Sequence, residues 1–478
     1  MRIFFLSAAV AATMISCNSN TAVKGSQDSS AKKDVLAVNM DTTVDPSQDF
    51  FMYANGGWIK NNPIPGAYGS WSIANLVIEE NLKRLREISE QADSAKAAPG
   101  TAQQKIGDFW STGMDSAKIE QQGLKPLQPY FDKINAITDV KSLVATVADL
   151  KKIGSSTLFS DYVTQDDKNS EVMTYKLWQG GIGLPEREYY FKNDSATQNI
   201  RSEYLKYITK ILTMSGDDSI KAGASAKNIL ALETKLAQAS RKLADLRDPY
   251  KNYNKMAISD LPKLSSNIDW TNYLGMVCVK NIDSVIVGQP EFFKALNSVL
   301  QSTPIDMWKI YVRFNLISDF AGALPEQYGA TAFNFSKLFT GAKERLPRWK
   351  RVINAEENSM GEMLGQLYVK EFFNEKTKER YSNLVEAIRD ALKDHISKLT
   401  WMSDSTKQKA YEKLASIKKK VFYPDKWRDY SALEIGTDSY MQNVINANEW
   451  RHNYQYNKLG KPVDRDEWGM NPQTYNAQ

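Results

Sequence analysis

The feature that most constrains this fold is the spacing of its apolar residues, which recur every three or four positions over long stretches. One such stripe is formed by Ala74, Ile78, Leu82, Leu85 and Ile88, with charged residues between its members. This spacing places the apolar side chains on one face of an α-helix. Two further stripes with the same period are Leu384, Ile388, Leu392, His395 and Leu399, and Ala410, Leu414, Ile417 and Val421. The pattern predicts a mainly α protein.

Signals for helix ends and strands are sparser. The run Ser403-Asp404-Ser405 predicts an N-cap and the start of the helix that carries the third stripe. Strand-like alternation is confined to the short segments 158–163, 172–177 and 277–287. Residues 427–478 are turn-rich, aromatic and weakly periodic, and they end without a helix cap, which we interpret as an interruption of the fold. We therefore expect many helices and a few short strands.

Composition excludes some functions and leaves others open. A chain of 478 residues can form two to four domains. Its 61 basic and 56 acidic residues nearly balance, and no long basic block alternates with aromatic residues, so nucleic acid is not an expected partner. The 11 Trp and 23 Tyr suit an aromatic core, and equally a surface that stacks sugars or peptides.

The N-terminal residues have the pattern of an export signal. Arg2 precedes an apolar run over residues 3–15, which is too short to span a bilayer as a stable helix. The quartet that ends in Cys17 resembles a bacterial lipobox, which predicts lipidation of Cys17 after cleavage; a plain signal peptide is the alternative. Residues 18–40 contain few large apolar side chains and predict a disordered tether. We expect an exported protein, lipid-anchored in the bacterial cell envelope.

The residues that usually carry hydrolytic chemistry are scarce in this sequence. A zinc peptidase needs imidazoles and carboxylates that converge on one metal ion. His395 and His452 are the two histidines, and neither begins an HExxH motif. His395 continues an apolar stripe, so a buried or rim position is expected for it. Cys278 lies in an apolar run and is interpreted as a packing residue, since a lipidated Cys17 leaves it without a disulfide partner. No catalytic and no metal-ligating residue is predicted.

Several segments nevertheless contain specific sequence motifs. Residues 45–58 read DPSQDFFMYANGGW and residues 179–190 read QGGIGLPEREYY. Further segments follow in a fixed order: RDP at 247–249, QPEF at 289–292, PRWK at 347–350, LYV at 367–369, YPDKW at 423–427 and KLGKPVDRDEW at 458–468. In this order they resemble the neprilysin and endothelin-converting enzyme family of zinc metallopeptidases, over nearly all of the chain from residue 41 onward.

The resemblance implies a fold and a function. In this family a large helical cap domain closes over a thermolysin-like zinc domain, and oligopeptides are hydrolysed in the cavity between them. We therefore expect this chain to be the N-terminal, substrate-enclosing part of such a peptidase, with the C-terminal thermolysin-like domain missing. Zinc would belong to the full-length parent, and this chain, without HExxH, would bind none and be inactive alone. Its expected partners are an oligopeptide substrate, the missing catalytic domain and the membrane.

The resemblance also suggests substrate-binding residues. The family carries an Asn-Ala-aromatic motif that pairs with the substrate backbone as an added strand. Asn476 and Ala477 match it, whereas Gln478 replaces the aromatic residue. We expect these terminal residues to fray. The cysteines that animal members carry in the first motif are not reproduced. Ser70 and Ile78 stand where animal members place arginines that grip the substrate carboxylate, so that contact is not expected here.

These inferences define four segments. They are a lipoprotein signal peptide at 1–17, a disordered tether at 18–40, a neprilysin-like helical domain at 41–430, and a connecting segment with the first residues of the truncated catalytic domain at 431–478. Two alternatives stay open. The chain could be a helical surface lipoprotein that binds glycans or peptides without catalysis, or a naturally truncated, inactive homologue.

Overall fold

The structure, a computed structural model, describes residues 34–476, which fall into two units that divide after Pro63. The first unit contains helices α1 (Val35–Asn39) and α2 (Phe50–Asn61). The Asp49 side chain caps α2 by accepting a hydrogen bond from the Met52 amide, and Lys60 forms an ion pair of 2.7 Å with Asp41. A Cβ at Gly56 would lie 2.7 Å from the Asp41 Cβ, so the glycine permits this close packing.

The second unit contains sixteen helices within the described residues. They are α3 (Ile73–Ala95), α4 (Ala102–Met114), α5 (Ser116–Gln122), α6 (Gln128–Asn135), α7 (Val140–Lys152), α8 (Glu188–Phe191), α9 (Ser195–Met214), α10 (Ser219–Ala239), α11 (Trp270–Met276), α12 (Pro290–Ser302), α13 (Ile305–Phe320), α14 (Glu326–Thr340), α15 (Arg348–Phe372), α16 (Glu375–Lys398), α17 (Asp404–Ser416) and α18 (Tyr440–Tyr456).

Four short strands form one sheet with the order β1-β2-β4-β3. They are β1 (Ser160–Gln165), β2 (Met173–Trp178), β3 (Asn254–Ala257) and β4 (Ser284–Val287). β1 runs antiparallel to β2, β2 runs parallel to β4, and β3 runs antiparallel to β4. The predicted strands at 158–163 and 172–177 are therefore present with small shifts. Between residues 277 and 287, the strand covers 284–287, and β3 was not predicted.

The first predicted stripe positions α3 in the core. Leu82, Leu85 and Ile88 are buried, and α3 packs against α4 and α15. A Cβ at Gly107 of α4 would lie 2.7 Å from the backbone of Ala92, so this glycine lets the two helices approach closely. Burial of a whole aliphatic side chain stabilises a fold by about 1.5–3 kcal/mol, and the α3 stripe repeats this gain along the helix. The prediction of a mainly α fold with a few short strands is confirmed.

Two sequence-based expectations about helices were wrong. The third stripe does not stay on one helix, because α17 ends at Ser416 and Ile417 lies beyond it. The predicted cap is present, since the Ser403 side chain accepts a hydrogen bond from the Thr406 amide. The turn-rich stretch after residue 427 contains the long helix α18, whose buried residues include the polar Asn443 and His452. Buried polar residues obscure the apolar period on which the prediction relied.

The predicted signal peptide and most of the predicted tether fall on residues that the structure does not describe, whereas the last residues of the predicted tether include helix α1. Cys17 and the proposed signal and most of the tether lie outside residues 34–476. Within the described part of the chain, no helix combines the length and apolar character required to cross a membrane.

Candidate functional site

The two histidines lie on different helices and in contrasting environments. His395 is exposed on α16. His452 is buried on α18, where its Nε2 lies 3.0 Å from the Val277 carbonyl oxygen and its ring stacks on Tyr456 with 3.9 Å between centroids. Burial lowers the pKa of His452 to about 4, so this imidazole is neutral near pH 7. His452 thus serves the packing of α18, and one of its ring nitrogens is already engaged.

A catalytic zinc needs three protein ligands that converge on one point. Among residues 34–476, no three His, Cys, Asp or Glu side chains are grouped so that they could hold a metal ion. The described residues therefore do not fit a catalytic zinc. Cys278 follows α11 with a φ of 66° and packs, half-buried, against the core.

The candidate substrate-binding residue Asn476 belongs to residues 471–476, which we call the C-terminal segment. This segment lies against α15 beside a kink, where Met360 has the non-helical φ and ψ values of −145° and 38°. The Asn476 amide donates a hydrogen bond of 3.0 Å to the Thr474 carbonyl oxygen. Ala477, the second predicted substrate-binding residue, lies outside the described residues.

The C-terminal segment is attached through Gln473, which is 4% exposed. Gln473 Nε2 donates a hydrogen bond of 2.9 Å to the Gly361 carbonyl oxygen on α15. Asn81 Nδ2 on α3 donates one of 3.2 Å to the Gln473 carbonyl oxygen. Tyr368 on α15 donates its hydroxyl proton to Asn81 Oδ1 over 3.1 Å and so orients the amide. The segment is therefore bound to two helices of the core at once.

An acidic residue is buried where α3 meets α15 near this segment. Glu356 is fully buried, and burial raises its pKa well above the ordinary carboxyl value. The Ser89 hydroxyl lies 2.8 Å from Glu356 Oε2 and 3.0 Å from the Leu85 carbonyl oxygen, and its single proton can serve one of these acceptors. A proton on Glu356 satisfies both contacts. Burial and the shared hydroxyl proton of Ser89 therefore both favour the protonated form of Glu356.

The outward part of α3 carries an apolar surface. Leu76, Val77 and Ile78 are exposed, and Val77 and Ile78 lie one helical turn before Asn81 on the same face. Ser70 is also exposed, so neither Ser70 nor Ile78 places a cation on this surface. We therefore expect no contact between an arginine and a substrate carboxylate at positions 70 and 78.

Sequence reasoning missed the residues that hold the C-terminal segment. Gln473, Asn81 and Gly361 belong to no chemical motif, because amides and glycines act here through their packing. One signal was available. Gly361 and Gly365 are separated by four positions, a spacing that would place both on one face of a helix, and glycine is unfavourable in a helix unless something approaches closely.

Comparison with known proteins adds a family context to this geometry. The model of the N-terminal domain of peptidase family M13 matches residues 46–424. Endothelin-converting enzyme 1 of Rattus norvegicus is 29% identical over 465 residues, which cover 92% of this chain and 60% of that protein. Neprilysin-3 of Drosophila melanogaster is 27% identical over 467 residues, which cover 92% of this chain and 59% of that protein.

Solved structures agree with these sequence relatives. The crystal structure of the Mycobacterium tuberculosis zinc metalloprotease ZMP1 in complex with an inhibitor is 32% identical, with a TM-score of 0.85. The match covers 92% of this chain and 66% of that chain. PepO of Lactobacillus rhamnosis shares the fold, with a TM-score of 0.81 at 18% identity, over 89% of this chain and 68% of that one. The chain spans about 60% of the length of the curated relatives given above.

Proposed function

Because the chain belongs to peptidase family M13, we propose that it forms the helical, substrate-enclosing portion of a zinc metallopeptidase that hydrolyses oligopeptides. The family match over residues 46–424 carries this proposal. We assign the helical domain to residues 41–430, and a connecting segment that leads into the catalytic domain to residues 431–478. Of the similar proteins, ZMP1 is named a zinc metalloprotease, which supports the proposed peptide hydrolysis.

We assign the zinc ligands to the part of the relatives that this chain does not match. The described residues do not fit a catalytic zinc, and the printed sequence contains no HExxH. About 40% of the length of the curated relatives lies outside the match, which leaves room for a separate metal-binding part. In this proposal the chain binds and encloses the peptide, and it neither binds zinc tightly nor hydrolyses peptides alone.

The exposed face of α16 supports a partner of this kind. None of residues 375–398, all of which the structure describes, is buried. Leu384 and Ile388 are 52% and 60% exposed, and Leu392 continues their stripe at helical spacing. A continuous apolar stripe on an exposed helix is characteristic of a surface that another protein part covers.

The charges beside this stripe favour a protein partner over a lipid surface. Asp390, Lys393 and Asp394 alternate in sign along α16. Helices that lie on anionic membranes instead carry mainly Lys and Arg on their polar face. We therefore propose that the zinc-binding part of the parent peptidase covers the α16 stripe.

For the peptide itself, we propose that Asn476 and Ala477 pair with the substrate backbone. Strand addition supplies main-chain hydrogen bonds without demanding one particular side chain, which suits an enzyme that accepts many oligopeptides. The hydrogen bond from Asn81 of α3 to the Gln473 carbonyl oxygen, which holds the C-terminal segment against α3, supports this assignment.

We further propose that the protein is exported and lipid-anchored through Cys17 in a bacterial cell envelope. In this proposal, residues 1–17 form the signal peptide and residues 18–40 form the tether. The sequence pattern at the N-terminus supports the proposal. Mass spectrometry of the N-terminal peptide from expressing cells tests it. A diacylglycerol-modified Cys17 is expected, and an unmodified N-terminus at another residue would contradict it.

Peptide binding tests the proposed function directly. A fluorescein-labelled, unstructured decapeptide should bind the purified chain saturably, as measured by fluorescence anisotropy. Asn476→Ala should weaken binding by about tenfold, the loss expected when a hydrogen bond to a peptide is removed. The matched control is Asn193→Ala, which changes an exposed asparagine far along the chain from this segment. If both variants bind as the unmodified chain does, the assignment of Asn476 is wrong.

A further inference from the structure

The C-terminal segment lies in a groove that two glycines create. We call Gly361 and Gly365 of α15, together with Asn81 of α3, the glycine groove. A Cβ at Gly361 would lie 2.1 Å from Asn471 Nδ2. A Cβ at Gly365 would lie 2.7 Å from Gln473 Oε1 and 2.9 Å from the Pro472 ring. Real Cβ atoms do not approach other heavy atoms this closely, so a larger residue at 361 would displace the Asn471 side chain, and one at 365 would displace the Pro472 ring.

Polar contacts then fix the segment along the groove. Gln473 donates to the Gly361 carbonyl oxygen, and Asn81 donates to the Gln473 carbonyl oxygen, so both α15 and α3 hold the same residue. The Thr474 amide donates a hydrogen bond of 3.0 Å to the Asn471 carbonyl oxygen, which closes a turn at the groove. Because Gln473 is buried, releasing it would leave several polar groups without partners.

The exposure of the C-terminal segment rises sharply after Gln473. Gln473 is 4% exposed, whereas Tyr475, two residues later, is 53% exposed. A fixed buried anchor directly before an exposed stretch determines where residues 474–476 can lie. The Asn81 contact lies one helical turn after Val77 and Ile78 on α3.

We propose that Gly361 and Gly365 are positioning residues for peptide binding. They admit the C-terminal segment against α15, and Gln473 and Asn81 then fix its register, so that Asn476 is held where an extended peptide can pair with it. The peptide-binding part of this inference rests on the proposed function. The anchoring part rests on the groove alone.

Substitutions that change side-chain size at the glycine groove test the proposal. Gly361→Ala should raise the hydrogen-exchange rate of the Thr474 and Asn476 amides by about tenfold, because the displaced Asn471 side chain loosens the segment and its local opening then needs less free energy. Asn471→Ala removes the side-chain atoms that the new methyl group would meet, so Gly361→Ala combined with Asn471→Ala should restore slow exchange. The matched control is Gly223→Ala in α10, where an added Cβ would meet nothing within 4 Å.

The same variants are tested with the fluorescein-labelled decapeptide. Gly361→Ala should weaken binding about tenfold, the double variant should recover it, and the control should leave it unchanged. Unchanged exchange in Gly361→Ala would overturn the proposal. Faster exchange with unchanged peptide affinity would overturn the positioning role and leave the proposed function standing. Lack of peptide binding by the unmodified chain would contradict the proposed function, and the exchange rates would then decide on the anchoring role alone.

Discussion

Glu233 on α10 is a buried acid with hydrogen bonds to two tyrosines. Its carboxyl group is fully buried and accepts hydrogen bonds from the hydroxyls of Tyr190 and Tyr204 over 2.6 and 2.8 Å. Burial raises the pKa of Glu233 to about 7, and the two hydroxyl donors only partly oppose this. Gly183 permits the arrangement, because a Cβ there would lie 1.9 Å from the Tyr204 hydroxyl oxygen.

The raised pKa of Glu233 predicts a pH-dependent stability. The folded state holds a proton that the unfolded chain releases above pH 4.5, so the stabilising effect is complete below pH 4.5 and is lost as the pH rises towards about 7. A shift of this size corresponds to roughly 3 kcal/mol of unfolding free energy. Glu233→Gln retains the shape of the protonated acid, so its stability relative to the unmodified protein should increase over this range. Urea denaturation at several pH values measures the difference.

The comparison with the variant is needed because His452 acts in the opposite direction. Burial lowers the pKa of His452 to about 4, so its contribution is present above pH 6.5 and is lost as the pH falls. Subtracting the two denaturation series cancels this effect. Glu87→Gln, an exposed change on α3, serves as the control and should leave the pH dependence unchanged. A constant difference between Glu233→Gln and the unmodified protein from acid to neutral pH would contradict the prediction.

Among the elements, α16 shows where periodicity predicts a helix and misjudges its environment. The stripe of Leu384, Ile388 and Leu392 was expected from its spacing, and the helix is present. The spacing cannot reveal whether a covering part belongs to the same 478 residues. His395 is exposed for the same reason, because the face that it continues is exposed in this chain. The apolar period identifies a helix, whereas the burial of that helix depends on which other parts of the protein pack against it.

The exposure of the α16 stripe leads to a prediction about stability. Leu384→Gln together with Ile388→Gln should change the unfolding free energy by less than about 1 kcal/mol, because exposed substitutions with similar helix propensity cost little. The double variant should also bind less of a fluorescent hydrophobic dye, since its apolar patch is smaller. Urea denaturation and dye fluorescence measure the two effects.

A buried leucine provides the contrast for this experiment. Leu296 of α12 is fully buried, and Leu296→Gln should cost several kcal/mol because it places an unpaired amide in the core. If the α16 double variant were destabilised to the same extent, the stripe would be part of the core of this chain. The assignment of α16 as a covered surface in the parent protein would then fail.

The α18 helix shows the opposite case, a helix that is present although the sequence pattern did not predict it. Its residues gave no apolar period, because Asn443 and His452 are buried beside Met441 and Ile445. Asn443 donates to the Gly436 carbonyl oxygen and to the Thr112 hydroxyl, which compensates for its burial. The Thr112 contact joins residues that are 331 positions apart, and no local pattern contains it. Strand β3 was missed likewise, because its four residues alternate too briefly to be distinguished from a turn.

For the molecule as a whole, the order of the family motifs predicted more than the search for catalytic and metal-binding residues did. The collinear segments identified the family that the comparisons then confirmed, and the stripes identified the fold class. The site was predicted less completely. Asn476 and Ala477 were named through the resemblance, whereas the groove that holds their segment depends on Gly361 and Gln473, which carry no chemical signature. Positioning residues are recognised by close approach, and that becomes visible only in three dimensions.

We propose that this chain binds peptides and leaves their hydrolysis to another part of an M13 peptidase. The most direct measurement incubates the purified chain with an internally quenched fluorogenic oligopeptide and added zinc, with and without a chelator. We predict no cleavage above that of a protein-free sample under either condition, because the described residues do not fit a catalytic zinc. Zinc-dependent cleavage that the chelator abolishes would contradict the account, because the catalytic residues would then lie within these 478 residues.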